Sequence, residues 1–178
     1  NFSRPASGIY VQYYKFLRYG ISGYQKICDH MMTHAHKIRE GLGKMKFEGK
    51  ARFTILDDGD KNCLPVVTAM LNPECNFEYD DIDLQHAISE HNWYVSGYKM
   101  NFEDPITKQD KPIFTDQDGS KTMFRIVVKS NINSVMVDNL IDSFGKTLEM
   151  LDSIEFKNKT NGAFKGMHRK KNLFSKHC

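Results

Sequence analysis

Apolar residues between positions 21 and 42 recur at alternating intervals of three and four: Ile21, Tyr24, Cys28, Met31, Ala35, Ile38 and Leu42. On a 3.6-residue helix this spacing lays them along one stripe. Tyr13, Phe16 and Leu17 prolong the stripe upstream. The pattern predicts one long helix over 9–43, or two in line, with Gly20 and Gly23 permitting a kink and Gly41 and Gly43 standing near its end. The period then changes. Residues 51–56 alternate weakly and lead into the polar turn 57–60, while Leu64–Leu71 is an apolar run with Pro65 placed early enough for a strand. Residues 80–91 read as a helix through Ile82, Ala87 and Ile88, with acidic residues crowding the first turn, where they suit the helix dipole. A strand is expected within 93–100, and the polar, proline-bearing stretch 101–119 reads as a loop. Thr122–Lys129 alternates strictly, with Met123, Arg125 and Val127 on one face and Phe124, Ile126 and Val128 on the other. A closing helix over 134–151 uses Val135, Val137, Leu140, Ile141, Phe144, Leu148 and Leu151.

The order helix, strand, strand, helix, strand, strand, helix predicts an α+β layer, a sheet with helices on one face. With 178 residues, 40% hydrophobic and 26% charged, the chain has the size and composition of one globular domain. No apolar run approaches the ~18 residues of a membrane span, so none is expected. The chain opens on Asn1 with no basic-then-apolar leader, which leads us to expect a piece of a longer or processed protein.

Charge is distributed unevenly. Residues 1–154 hold 18 Lys and Arg against 21 Asp and Glu, a balance of −3, whereas 155–178 hold seven basic residues against Glu155 alone, a balance of +6. The acidic body carries no nucleic-acid footprint, and the basic stretch reads as a mobile tail. Cys28, Cys63, Cys75 and Cys178 are widely spaced and do not suggest a disulfide framework. A reducing, cytoplasmic setting follows as the simpler expectation.

Three groups of residues invite a chemical reading. His30 and His34 share a helix face at i, i+4, a zinc-ligand spacing, but the glutamate of the metalloprotease pattern is missing. Surface histidines account for them better. Asp57, Asp58 and Asp60 resemble half a calcium loop whose twelfth position holds Thr68 instead of glutamate, so a solvated turn is expected. No metal is assigned. Arg125 is the third, a guanidinium within the apolar strand. Such a group is costly to bury without an anion, and its forked donors fit a carboxylate. The pattern alone leaves open whether that anion is an internal Asp or Glu or a ligand, or whether the side chain faces solvent.

Longer motifs add a resemblance. Asn1-Phe2-Ser3-Arg4-Pro5-Ala6, Gln12-Tyr13-Tyr14, Gly20 with Gly23-Tyr24, Leu64-Pro65-Val66-Val67, Trp93-Tyr94-Val95 and Met123-Phe124-Arg125-Ile126-Val127 occur in the order seen in glutamate decarboxylases. The chain thus resembles the pyridoxal-phosphate-dependent group II decarboxylase family over about residues 1–152. It departs at Val95-Ser96-Gly97-Tyr98, where the family usually has Val-Pro-Ala-Tyr or Val-Pro-Ala-Phe, and its 101–119 loop is longer than expected. The resemblance implies a C-terminal fragment of an aspartate-aminotransferase-like enzyme. Residues 1–45 would be the helical connection from a large cofactor domain, 46–154 the small α+β domain and 155–178 the tail. The complete enzyme would convert L-glutamate to 4-aminobutanoate and carbon dioxide as a dimer or larger homo-oligomer. The imine-forming lysine lies upstream in the family, and no lysine here stands in its Ser-x-His-Lys context, so the fragment alone is expected to be inactive.

By the same resemblance Arg125 binds a substrate carboxylate, and Ser3 reaches the cofactor phosphate of a neighbouring subunit. His177 resembles the penultimate histidine with which bacterial relatives close the active site at neutral pH. Plant relatives carry a basic calmodulin-binding tail instead, and calmodulin is the corresponding expected partner of 155–178. Two alternatives accompany this reading: a related pyridoxal-phosphate decarboxylase for aromatic or other acidic amino acids, and a non-catalytic regulatory or assembly fragment.

Overall fold

A computed structural model describes residues 5–57, 59, 63–112 and 122–160; side chains are described except those of Phe102, 110–112 and 155–160. Helix α1 runs Ser7–Lys44 and is kinked at Gly20, whose φ of 56° and ψ of −171° lie in a region essentially reserved for glycine. The strands are β1 (Lys46–Phe47), β2 (Lys50–Ala51), β3 (Phe53–Ile55) and β4 (Val66–Leu71), then β5 (Ser96–Lys99), β6 (Asn101–Glu103), β7 (Asp110–Pro112) and β8 (Thr122–Val127). Helix α2 (Asp81–Ser89) separates β4 from β5, and α3 (Ser134–Thr160) closes the order.

The central sheet has the order β3-β4-β8-β5, antiparallel throughout, with β8 between β4 and β5. Its alternation decides the layers. Val67, Ala69, Leu71, Phe124, Ile126 and Val128 are buried on one face. They join Ala35, Ile38 and Leu42 of α1, Leu84 and Ile88 of α2, and Val137, Leu140, Phe144 and Leu148 of α3 in one core. Phe53, Phe124 and Phe144 meet at its centre, with ring centroids 5.4 to 6.1 Å apart. The α+β layer with helices on one face is therefore the observed architecture.

Helix α2 begins as its acidic first turn predicts. The Asp80 carboxylate accepts from the amides of Ile82 and Asp83 at 2.8 and 3.0 Å, and Asp83 accepts from the Asp80 amide in return. At Gly97 a Cβ would stand 2.8 Å from the Asp81 carbonyl oxygen, so glycine lets α2 lie close against β5.

Three elements differ from expectation. The stretch 51–56 is interrupted at Arg52, whose side chain turns into a polar cluster. The expected 101–119 loop contains the β6–β7 hairpin, nucleated where Asp104 accepts from the amides of Ile106 and Thr107 at 2.8 and 3.1 Å. Helix α3 continues past Leu151 to Thr160. Among the described residues, no helix is long and apolar enough to cross a membrane.

Candidate functional site

Arg125 sits in the middle of β8, opposite Thr68 on β4 and Ser96 on β5. Phe124 and Ile126 on either side of it point into the core, so strand periodicity turns Arg125 to the face without helices. There its side chain is exposed, and no described carboxylate forms an ion pair with it. Arg125 therefore does not bear the cost of a buried cation. Alternation places it in reach of solvent. Its guanidinium carbon lies 5.3 Å from the centroid of the Tyr98 ring. Tyr98 pairs in register with Met123, two residues from Arg125 on β8, and is thus a diagonal neighbour on the same face.

The buried arginine is Arg52, which sequence reasoning passed over. Its exposure is 6%, and both of its terminal nitrogens bind Asp152, with Tyr79 completing the cluster. Phe47 and Phe77 flank it, their ring centroids 4.9 and 5.3 Å from the guanidinium carbon. All of its described partners are internal, so this is a structural knot. The only sequence signal for it was the polar interruption between two short strands.

The histidine and aspartate readings are corrected. His30 is exposed and contacts the Ile132 carbonyl at 2.8 Å, but His34 is buried, with neither ring nitrogen partnered among the described residues. Burial, followed by the charge of His30, lowers the His34 pKa below 6.5. Asp57 is no solvated turn residue. It is held by Arg39 and accepts from the Thr68 amide at 2.7 Å. Asp58 and Asp60 lie outside the described residues, as do Ser3 and His177. No group of three or more metal-ligating side chains occurs among the described residues.

Comparison with known proteins agrees with the motif order. No protein-family model matches the chain. It is 29% identical to a glutamate decarboxylase of Lactococcus lactis, over 91% of this chain and 32% of that protein. It is 25% identical to glutamate decarboxylase 3 of Arabidopsis thaliana, over 86% and 26%. A solved structure of Lactobacillus brevis glutamate decarboxylase superposes with a TM-score of 0.66 at 25% identity, covering 85% of this chain and 30% of that one. The chain matches part of a glutamate decarboxylase. It spans about a quarter to a third of the length of these relatives.

Pyridoxal phosphate, which that family implies, needs an amine for its aldehyde, donors for its phosphate and an acid beside its ring nitrogen. Among the described residues no lysine is buried. The one buried carboxylate among the described residues, Asp81, is occupied by the Leu71 amide and the Thr122 hydroxyl, both at 2.8 Å. The described residues do not fit the cofactor. What they offer is an exposed guanidinium, that of Arg125.

Proposed function

We propose that this chain is the C-terminal part of a glutamate decarboxylase, which releases the α-carboxylate of L-glutamate as carbon dioxide and yields 4-aminobutanoate with pyridoxal phosphate. The observation that carries the reading is Arg125. It presents a guanidinium that pairs with no described carboxylate, on the helix-free face of the sheet, within a strand whose sequence resembles the arginine-bearing strand of those enzymes.

In this reading Arg125 binds a substrate carboxylate through paired N–H donors, which fix its orientation as well as its charge. Ser3 donates to the phosphate of a neighbouring subunit's cofactor, so the complete enzyme works as a dimer or larger assembly. Residues 1–45 connect to the cofactor domain, 46–154 form the small domain and 155–178 the tail. The imine-forming lysine belongs to another part of the enzyme, and the 178 residues alone are inactive. The setting is cytoplasmic.

The test is carbon dioxide release by the complete enzyme carrying this segment, supplied with pyridoxal phosphate and either glutamate, aspartate, tyrosine or dopa. Turnover of glutamate alone is expected. Turnover of another amino acid alone would reassign the substrate, and turnover by the isolated 178 residues would overturn the partial-enzyme reading.

The charge contrast between the −3 body and the +6 tail favours a regulatory role for residues 155–178. Calcium-dependent capture of calmodulin by the 155–178 peptide would support one form of it. A rise in activity above neutral pH on His177→Ala would support the other, in which His177 closes the site.

A further inference from the structure

We infer that Tyr98 is a positioning residue for Arg125, holding its guanidinium in the orientation that receives a carboxylate; this rests on the reading of Arg125 as the carboxylate ligand. An arginine on an open strand face has a long stem and many rotamers, and β8 supplies no ion pair among the described residues to choose between them. The Tyr98 ring does. It is half-buried, and its centroid lies 5.3 Å from the guanidinium carbon, inside the ~6 Å range of a cation over an aromatic face. Packing on a ring engages the flat face of the guanidinium, whereas its N–H donors radiate in the plane. The contact therefore restrains the cation while leaving its fork open to an anion.

The Tyr98 hydroxyl bears on which part of the residue acts. It is buried and has no hydrogen-bond partner among the described residues. It ties the ring to no described residue, so the contact with Arg125 is made by the aromatic face and does not call on the oxygen. On this account phenylalanine should substitute for Tyr98 and an aliphatic residue should not.

Steady-state kinetics of the complete decarboxylase test this with Tyr98→Leu, Tyr98→Met, Tyr98→Phe, Arg125→Ala and the double variant Tyr98→Leu with Arg125→Ala. Loss of the ring is expected to raise KM for glutamate about two- to fivefold with kcat nearly unchanged, the range for an exposed cation–ring contact. Tyr98→Phe should retain the parent KM. In the Arg125→Ala background, Tyr98→Leu should add nothing. Tyr98→Met serves where Tyr98→Leu does not fold. Unchanged KM in both aliphatic variants while Arg125→Ala is impaired would overturn the role of Tyr98 alone. A Tyr98→Phe defect equal to that of Tyr98→Leu, or an additive double variant, would also overturn it. Arg125→Ala with parent KM and kcat would instead remove the carboxylate reading on which the role depends.

Discussion

Arg52 and Asp152, 100 residues apart in sequence, meet in a two-pronged ion pair: Nη1 donates to Oδ1 at 3.2 Å and Nη2 to Oδ2 at 2.6 Å. Tyr79 accepts from Arg52 at 3.1 Å and donates to the same carboxylate at 2.9 Å. The pair ties the chain between β2 and β3 to the later turns of α3.

Asp152→Ala should accordingly leave a buried guanidinium without its anion. Breaking a buried pair from one side costs about 3–5 kcal/mol. Because the Asp152 side chain keeps 26% of its exposure, we expect the lower end of that range. The measurement is the shift in urea midpoint, and a change below about 0.5 kcal/mol would show that the knot contributes nothing net.

Arg125→Ala should behave in the opposite way. The side chain is exposed, so the urea midpoint should move by less than about 0.5 kcal/mol. In the complete enzyme, activity on glutamate should fall by about tenfold or more, the scale of one charge-assisted hydrogen bond, with cofactor absorbance retained. A loss of stability matching the loss of activity would make Arg125 a structural residue.

Asp81 makes stability depend on pH. Burial, opposed in part by the hydrogen bonds from Thr122 and Leu71, raises its pKa from 3.8 to about 6. Between those values the native chain binds the proton more tightly than the unfolded chain. The contribution of Asp81 to stability therefore improves as pH falls through about 6, and levels off below 3.8. Asp81→Asn, which keeps an acceptor for the Leu71 amide, should flatten this trend in urea midpoints measured from pH 7 to pH 4. An unaltered pH profile would show that Asp81 titrates normally.

His34 works against Asp81. Its folded pKa is lowered below 6.5, so the unfolded chain takes up its proton first, and stability drains away as pH falls from 6.5 toward the folded value. His34→Leu should remove that acid-side loss. It should also gain about 1 kcal/mol at pH 7, because the unpartnered ring nitrogens no longer have to be buried. Destabilisation at pH 7 would indicate that the imidazole shape is needed for packing against His30, whose ring centroid is 4.2 Å away.

Much of this protein was determined by local pattern. The apolar stripe of α1 and its kink at Gly20 follow from residue spacing and a backbone conformation that glycine tolerates. The acidic cap of α2 follows from the chemistry of its first turn. The two faces of β8 follow from the period of two, which is why Phe124 and Ile126 lie in the core and Arg125 does not. Residues distant in sequence were settled only by tertiary structure. No spacing rule joins Arg52 to Asp152, so the buried arginine was sought in the wrong strand. His34 and Asp57 looked like surface groups because their neighbours in sequence are polar, yet the loop before α3 contacts His30 beside His34, and Arg39 of α1 holds Asp57. The ring beneath Arg125 likewise needed the β5–β8 register. A side chain's period says which face it occupies, whereas burial and partners depend on what the rest of the chain lays against that face.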